Sequence, residues 1–465
     1  MNPSNTNHYF SARAVAAEAL RDLDFHKHDI ASRLDRLMDK TDQRARATDL
    51  VYGVIRNLSA IDLVLRTFTK IKDNHTDKKV LALLRIGVYE LVYVAQTPEY
   101  AIVNDAVALA AKVSKKTGGF VNAVLRNVQR AIVTRNANLS NQPLRRILPA
   151  DDKQGCVFNA DLLPKPEEGP AEFLAAAQSL PVWLIRQWII EFGLEQTKSI
   201  CFACNRRPSV ILRPNLLKIT LDDLARRLGE EGVDVLPAAD GSGLKLQQAL
   251  NLSRLTAFQE GLFFVQDQAA YDAVNLLPVQ NNWVVLDLCA APGTKTAVLA
   301  AKMNNTGTIY ATDIDKNRLQ KVADNCQRLG ITNVKIIEPR QFTQFISQRP
   351  HIDAILTDVP CSNTGVLARR VEARWRLEQK AISLLITKQR AILNRAMSLV
   401  GTGGVVLYST CSILADENQN LMRLVMSDYP VAKLKIERLT TPQIQTETAF
   451  DHDGGYAALI QAETT

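Results

Sequence analysis

Beyond residue 266 the sequence repeats a short apolar run followed by a helical stretch, and this alternation constrains the fold more than any other feature. The apolar runs cover residues 284–288, 308–312, 334–337, 354–357 and 405–409, with helices expected from Thr294, Lys316 and Glu378. Strands that alternate with helices imply a mostly parallel, doubly wound sheet, because parallel neighbours have to be joined by crossovers. Ligands of such sheets bind outside the carboxyl ends of the strands. Chemistry is therefore expected in the loops that follow the apolar runs.

The rest of the chain reads differently. Residues 11–135 carry helical periodicity: Ser11 is placed to cap a helix over 12–23, and Leu50, Val54, Leu58, Ile61 and Leu65 stripe a helix over 49–68. Further helices are expected over 80–94, 102–113 and 120–132, with Gly118 and Gly119 separating the last two. Pro143, Pro149, Pro164, Pro166 and Pro170 then interrupt any regular element, which marks residues 141–180 as a linker. A helix over 181–205, a strand over 210–213, a helix over 221–228 and strand-like stretches towards Phe263 form a small α/β unit. The expected organisation is multidomain: a helical domain over 1–140, the linker over 141–180, a small α/β subdomain over 181–270 and a Rossmann-like domain over 271–465. A chain of 465 residues with 46% apolar content is long enough for separate cores.

Charge is distributed unevenly. The formal net charge is +8, and residues 1–150 hold 23 Lys and Arg against 14 Asp and Glu, leaving 33 against 34 for the remainder. A basic domain joined to a neutral one suits a polyanion-gripping module attached to a catalytic one. Lys112, Lys115, Lys116, Arg126 and Arg130 gather near the end of the helical region. No run of about 18 apolar residues is present, and residues 1–10 are polar, unlike a signal peptide. The seven cysteines are scattered, unlike the dense framework of a small secreted domain. These features point to a cytoplasmic protein with reduced thiols and no membrane partner.

The first strand of the alternating region runs into Asp287-Leu288-Cys289-Ala290-Ala291-Pro292-Gly293-Thr294-Lys295-Thr296. Small residues and a glycine let the backbone approach a ligand, and the following helix offers its free amides to an anion. A nucleotide P-loop is excluded, because Thr294 separates Gly293 from Lys295 and Leu288 occupies the upstream glycine position. Asp313, at the end of the second strand, has the spacing of a carboxylate that accepts from ribose hydroxyls, and the alternative is a cap on the next helix. The glycine fingerprint of a dinucleotide site is missing. The fourth strand leads into Asp358-Val359-Pro360-Cys361 and the fifth into Ser409-Thr410-Cys411-Ser412. Two cysteines at neighbouring strand ends are candidate nucleophiles, since a thiolate in a polar loop attacks electrophilic carbon. Cys201 and Cys204 form a Cys-x-x-Cys with no second ligand pair near it, the histidines have no ligand spacing, and no metal site is expected.

The strings DLCAAPGTKT, ATDID, LTDVPCSNTG and YSTCSILADEN resemble the motifs of the Sun/Fmu family of RNA 5-methylcytosine methyltransferases. GGFVNAVLRN, near the end of the helical region, is similar to the NusB-like RNA-binding fold. RPSVILRPN and FQEGLFFVQDQAA match the segments that precede the catalytic domain in that family. The likeness covers nearly the whole chain apart from the proline-rich stretch.

The resemblance implies an all-α NusB-like domain, a small RRM-like α/β subdomain and a Rossmann-like methyltransferase domain that uses S-adenosylmethionine. It implies a covalent route in which a thiolate adds to carbon 6 of cytosine, so that carbon 5 becomes nucleophilic. It assigns the nucleophile to Cys411 and an assisting role in product release to Cys361. Residue chemistry alone does not choose between them, and DNA cytosine methyltransferases use a Pro-Cys. Asp358 is expected at the cytosine edge or the cofactor's amino group, with Lys295 adding positive potential near the thiols, and an ordinary salt bridge is the alternative for either residue. Cofactor contacts carry over to Cys289, Ala290, Ala291, Pro292, Gly293, Thr294, Lys295, Asp313 and Asp358. Glu338 stands where the family commonly has an aspartate for the adenine edge. Val371-Glu372-Ala373 replaces a usual His-Pro-Asp, and Val359 a usual alanine. The arginines around Trp375 are expected to offer phosphate contacts and a stacking plane, and the alternative is a buried structural Trp. The implied partner is small-subunit 16S ribosomal RNA, bound by a monomer, with no DNA partner. Transfer RNA, large-subunit RNA, a non-catalytic assembly role and an NAD oxidoreductase are the alternatives.

Overall fold

The computed structural model describes residues 10–463 except 28, 72–75, 239, 349–350 and 447–448, so residues 1–9 of the polar start lie outside them. The chain divides into two compact units, residues 1–206 with 370–376, and residues 207–369 with 377–465. Among the described residues no helix is long and apolar enough to cross a membrane.

Among the described residues, helical periodicity becomes seven packed α-helices in the first part of the first unit. They are α1 (Ala12–Leu20), α2 (Ile30–Asp35), α3 (Arg44–Arg56), α4 (Leu58–Phe68), α5 (Lys78–Tyr93), α6 (Glu99–Ala111) and α7 (Lys115–Ala131). Leu50, Val54, Ile61, Leu84, Val103 and Leu125 lie in their shared core. Side chains of Ser11, Asp77 and Ser114 accept backbone N–H bonds at the starts of α1, α5 and α7, which satisfies orphan amides there. The single helix expected over 49–68 is two, because Asn57 leaves helical geometry and its Nδ2 donates to Gly53 O at 3.0 Å. Gly118 and Gly119 do not separate two helices. Both lie inside α7, whose buried face of Val121, Val124, Leu125 and Val128 outweighs about 1 kcal/mol lost at each internal glycine.

The proline-rich stretch is not a linker. Strands β1 (Ile132–Asn138), β2 (Ile147–Pro149) and β3 (Gln154–Phe158) form an antiparallel sheet in the order β1-β3-β2, and α8 (Pro170–Gln178) follows. Leu148, Cys156, Phe158, Leu162 and Leu163 join the helical core. Pro149 ends an edge strand and Pro170 opens α8, two positions where a missing N–H costs no hydrogen bond. Helices α9 (Val182–Phe192) and α10 (Leu194–Asn205) also pack within this unit. Residues 370–376 complete it, with Val371 in the core and Trp375 Nε1 donating to Ile55 O at 3.0 Å.

The second unit holds two sheets. Strands β4 (Ile211–Pro214), β5 (Val235–Pro237), β6 (Leu244–Leu246) and β7 (Phe263–Val265) form an antiparallel sheet in the order β5-β6-β4-β7. Leu224 and Leu228 of α11 (Leu221–Glu230) pack on it, and α12 (Thr256–Gln259) precedes β7.

The large sheet consists of β8 (Val284–Asp287), β9 (Thr308–Ala311), β10 (Val334–Ile336), β11 (Ala354–Asp358), β12 (Val405–Thr410), β13 (Lys433–Thr440) and β14 (Gly455–Gln461). Their order is β10-β9-β8-β11-β12-β14-β13, parallel from β10 to β12 and antiparallel where β14 meets β12 and β13. The helices of this region are α13 (Gln268–Asn275), α14 (Thr294–Lys302), α15 (Lys316–Leu329), α16 (Phe342–Ser347), α17 (Gln379–Leu399) and α18 (Gln419–Asp428). Val285, Leu356 and Leu407 enter one core while their neighbours Leu286, Ile355 and Val406 enter another, so the sheet is covered on both faces. The strand order reverses between β8 and β11, which opens a crevice at their carboxyl ends.

Candidate active site

At the carboxyl end of β8 the chain turns through Cys289, Ala290, Ala291 and Pro292 into α14, with a cis peptide bond between Ala291 and Pro292. Gly293 adopts φ +101°, and a Cβ there would stand 3.2 Å from Val322 Cα on α15, so this turn requires glycine. Asp287 is buried and accepts from Thr296 Oγ1 at 2.8 Å and from Cys289 N at 3.3 Å. Burial pushes its carboxyl up to about 7, against the lowering effect of the Thr296 bond. Burial likewise pushes the Cys289 thiol up.

Asp313 does not cap the next helix; Asp315 does, accepting from Asn317 N and Arg318 N. Asp313 instead braces the cofactor-type loop, with Oδ2 accepting from Ala291 N at 3.2 Å and Oδ1 from Asp315 N at 3.0 Å. Between the two aspartates Ile314 is 93% exposed, an uncovered aliphatic side chain at a strand end that sequence reading did not single out.

Lys295, in the first turn of α14, reaches across the strand ends. Its Nζ pairs with Asp358 at the end of β11 and lies 3.0 Å from Ser409 Oγ on β12. Ser409 Oγ donates to Asp358 Oδ1 at 2.9 Å. Parallel register places Asp358 opposite Ser409, so the two loops leave the sheet side by side.

Those loops bring the two thiols together. Cys361 Sγ and Cys411 Sγ, both free, are 2.8 Å apart, and Cys411 Sγ donates to Asn363 Oδ1 at 3.3 Å. Gly365 N donates to Cys411 O at 2.9 Å, and a Cβ on Gly365 would stand 2.9 Å from that oxygen and 2.5 Å from Gly454 O. Cys411 is partly exposed and Cys361 is buried. The bond to Cys411 and burial push the Cys361 thiol well above the ordinary thiol range, and the charge of Glu417 adds to the rise. Glu417 is fully buried beneath both loops and accepts from Ser362 and Ser412, the residues that follow the two cysteines. Its place in the string ADEN, among solvated acids, gave no sign of this.

Other candidates stand elsewhere. Glu338, at the end of β10, is engaged by Lys316 Nζ at 3.2 Å and Arg340 Nε at 2.8 Å. Arg374 and Trp375 offer no phosphate contact or stacking plane, because both serve the first unit. Arg374 is 1% exposed, and Trp375 stacks on Phe25 at 5.9 Å. Cys201 and Cys204 are buried on α10.

Comparison with known proteins agrees with this architecture. Residues 273–453 match the model of 16S rRNA methyltransferase RsmB/F, residues 11–130 that of the NusB family, and residues 180–253 that of the RsmF/B-like ferredoxin-like domain. The probable ribosomal RNA small subunit methyltransferase B of Synechocystis sp. is 32% identical over 447 residues, 94% of each chain. Ribosomal RNA small subunit methyltransferase B of Escherichia coli is 30% identical over 410 residues, 87% of each chain. The crystal structure of PH0851 superposes with a TM-score of 0.72 at 25% identity, covering 98% of this chain and 99% of that one. The chain belongs to the ribosomal RNA small subunit methyltransferase B family.

Proposed function

We propose that this chain transfers a methyl group from S-adenosylmethionine to carbon 5 of a cytosine in 16S ribosomal RNA, through a covalent bond between Cys411 and carbon 6 of the base. The observation that carries the reading is the meeting of two thiols at 2.8 Å beside the switch point of the sheet.

The residues present suit the cofactor. The turn from Cys289 to Lys295 has no bulky side chain before the helix, and Gly293 admits close approach. Lys295 and Asp358 form a polar pair at the same strand ends, and Ile314 offers an apolar face for a planar base. We assign the cofactor to this turn together with Asp313 and Asp358. Glu338, held by Lys316 and Arg340, reaches an adenine edge only if it exchanges those partners. S-adenosylmethionine supplies an electrophilic methyl group.

The remaining chemistry falls to the chain. Carbon 5 of cytosine is a weak nucleophile, and addition of a thiolate at carbon 6 makes the ring enamine-like. The more exposed Cys411 suits this role. After methyl transfer the carbon 5 proton is lost to water as the bond from Cys411 to carbon 6 breaks, and Cys361, whose thiol is held protonated by its surroundings, is suited to give a proton to the departing Cys411 thiolate. Asp358, fixed by Lys295 and Ser409, presents a carboxylate to the cytosine edge. The base enters from a loop or by flipping from a helix. We assign RNA gripping to the basic helical region over residues 1–140, where Lys112, Lys115, Lys116 and Arg130 are exposed.

Incubation with labelled S-adenosylmethionine and a mixture of deproteinised small-subunit, large-subunit and transfer RNA, followed by bisulfite sequencing, tests the reading. Label at carbon 5 of a cytosine is the expected result. Label confined to transfer RNA or large-subunit RNA, or to another atom, overturns it.

A further inference from the structure

Glu417 is a carboxylate with 0% exposure whose side-chain donors are all neutral. Oε1 accepts from Ser362 N at 2.9 Å and from Gln389 Nε2 at 2.8 Å; Oε2 accepts from Ser362 Oγ and from Ser412 Oγ, the latter at 2.5 Å. Burying an ionised carboxyl costs several kcal/mol unless such donors replace its water. The donors are placed with a pattern: Ser362 follows Cys361, Ser412 follows Cys411, and Gln389 Nε2 also donates to Pro360 O, just before Cys361, at 3.0 Å. Ser362 Oγ and Ser412 Oγ are themselves 3.1 Å apart. One carboxylate thus ties the loop after β11 to the loop after β12 immediately behind the two sulfurs.

We propose that Glu417 is the positioning residue of the thiol pair, holding Cys361 and Cys411 in contact so that one base is within reach of both. The role rests on the cytosine reading for its purpose, though not for its geometry. Glu417 itself touches no substrate. It acts through Ser362 and Ser412, and a shift of about 1 Å in either sulfur is enough to lower turnover about 100-fold.

The test compares Glu417→Ala, Glu417→Gln and Ser412→Ala in the full-length chain. Diamide takes the two thiol hydrogens, becoming the hydrazine as the Sγ–Sγ bond forms, and peptide mass spectrometry follows the Cys361–Cys411 disulfide without RNA or cofactor. Disulfide formation is expected to slow about 100-fold in E417A, with kcat falling in parallel and KM for RNA unchanged. E417Q keeps the Oε1 acceptor, and the serine hydroxyls rotate to accept from its amide, so it is expected near the wild-type rate. Ser412→Ala removes one arm and is expected to slow disulfide formation about tenfold. If E417A fails to fold, Ser412→Ala against E417Q makes the same comparison. A folded E417A or a folded Ser412→Ala that oxidises at the wild-type rate overturns the proposal. Absence of cytosine methylation by the wild-type enzyme would defeat the functional reading and leave the disulfide comparison to decide Glu417.

Discussion

Each unit of the molecule buries a charge, and the two burials are built for different ends. In the first unit Arg374 Nη1 donates to Arg56 O at 2.9 Å, Gln178 O at 3.3 Å and Asn205 Oδ1 at 2.7 Å, and Nη2 donates to Cys204 O at 2.9 Å. Arg56, Gln178 and Cys204 lie in the last turns of α3, α8 and α10, so one guanidinium donates to carbonyl oxygens at three helix ends. Burial lowers its pKa to about 9, which leaves it cationic at neutral pH. In the second unit Glu417 gathers hydroxyl and amide donors from loops that carry reactive sulfur. A buried cation at helix ends fixes a scaffold. A buried anion behind two loops ties together the strand ends that carry Cys361 and Cys411.

The largest expected effect separates these roles. Arg374→Ala removes the charged donors shared by Arg56 O, Gln178 O, Cys204 O and Asn205 Oδ1 and is expected to destabilise the first unit by about 3–5 kcal/mol, read as a shifted denaturant midpoint. Adenosylmethionine binding by the second unit, followed by calorimetry, is expected to persist. Unchanged stability with slowed chemistry would reverse the comparison.

A second contrast concerns surface charge. Removing residues 1–140 is a poor test of RNA binding, because Leu148, Phe158 and Trp375 pack on that region. Replacing Lys112, Lys115, Lys116 and Arg130 by Gln keeps the core intact. The slope of log K against log salt for RNA binding is expected to fall by about 0.7–0.9 for each phosphate that is no longer neutralised, with cofactor affinity unchanged. An unaltered slope would remove the basic helical region from the RNA interface.

A third contrast comes from Asp287, a buried carboxyl inside the second unit. It titrates at about 4 in the unfolded chain and at about 7 when folded. Between those values the folded form retains a proton that the unfolded form has lost. Its contribution therefore makes stability fall as pH rises through that window and level off above it. Asp287→Asn is expected to flatten this part of the stability profile; a profile identical to wild type would show that the carboxyl is ionised throughout.

What was readable in the amino-acid order depended on how local its cause is. The doubly wound sheet followed from alternating periodicity, and the strings ending in Cys361 and Cys411 marked two loops that the parallel register of β11 and β12 sets side by side. Arg374 misled, because an Arg-Trp-Arg run looks like an RNA contact until α3, α8 and α10 are seen to end around it. The prolines of residues 143–170 looked like a linker because their edge-strand and first-turn positions are defined only by the finished sheet. Strand β13, exposed along most of its length, lacks the apolar signature of its neighbours. Glu417 was hidden for the same reason as Arg374, since Ser362 is 55 positions away in the chain.

The central claim is that Cys411 forms the bond to the base and Cys361 helps to break it. Mass spectrometry of covalent complexes with 5-fluorocytosine-containing small-subunit RNA tests it directly. Wild type is expected to trap the RNA and Cys411→Ser to trap none and turn over none, while Cys361→Ser accumulates an adduct even on unmodified RNA. A Cys411→Ser enzyme that still traps RNA, with Cys361→Ser failing to do so, would contradict the account and move the nucleophile to Cys361.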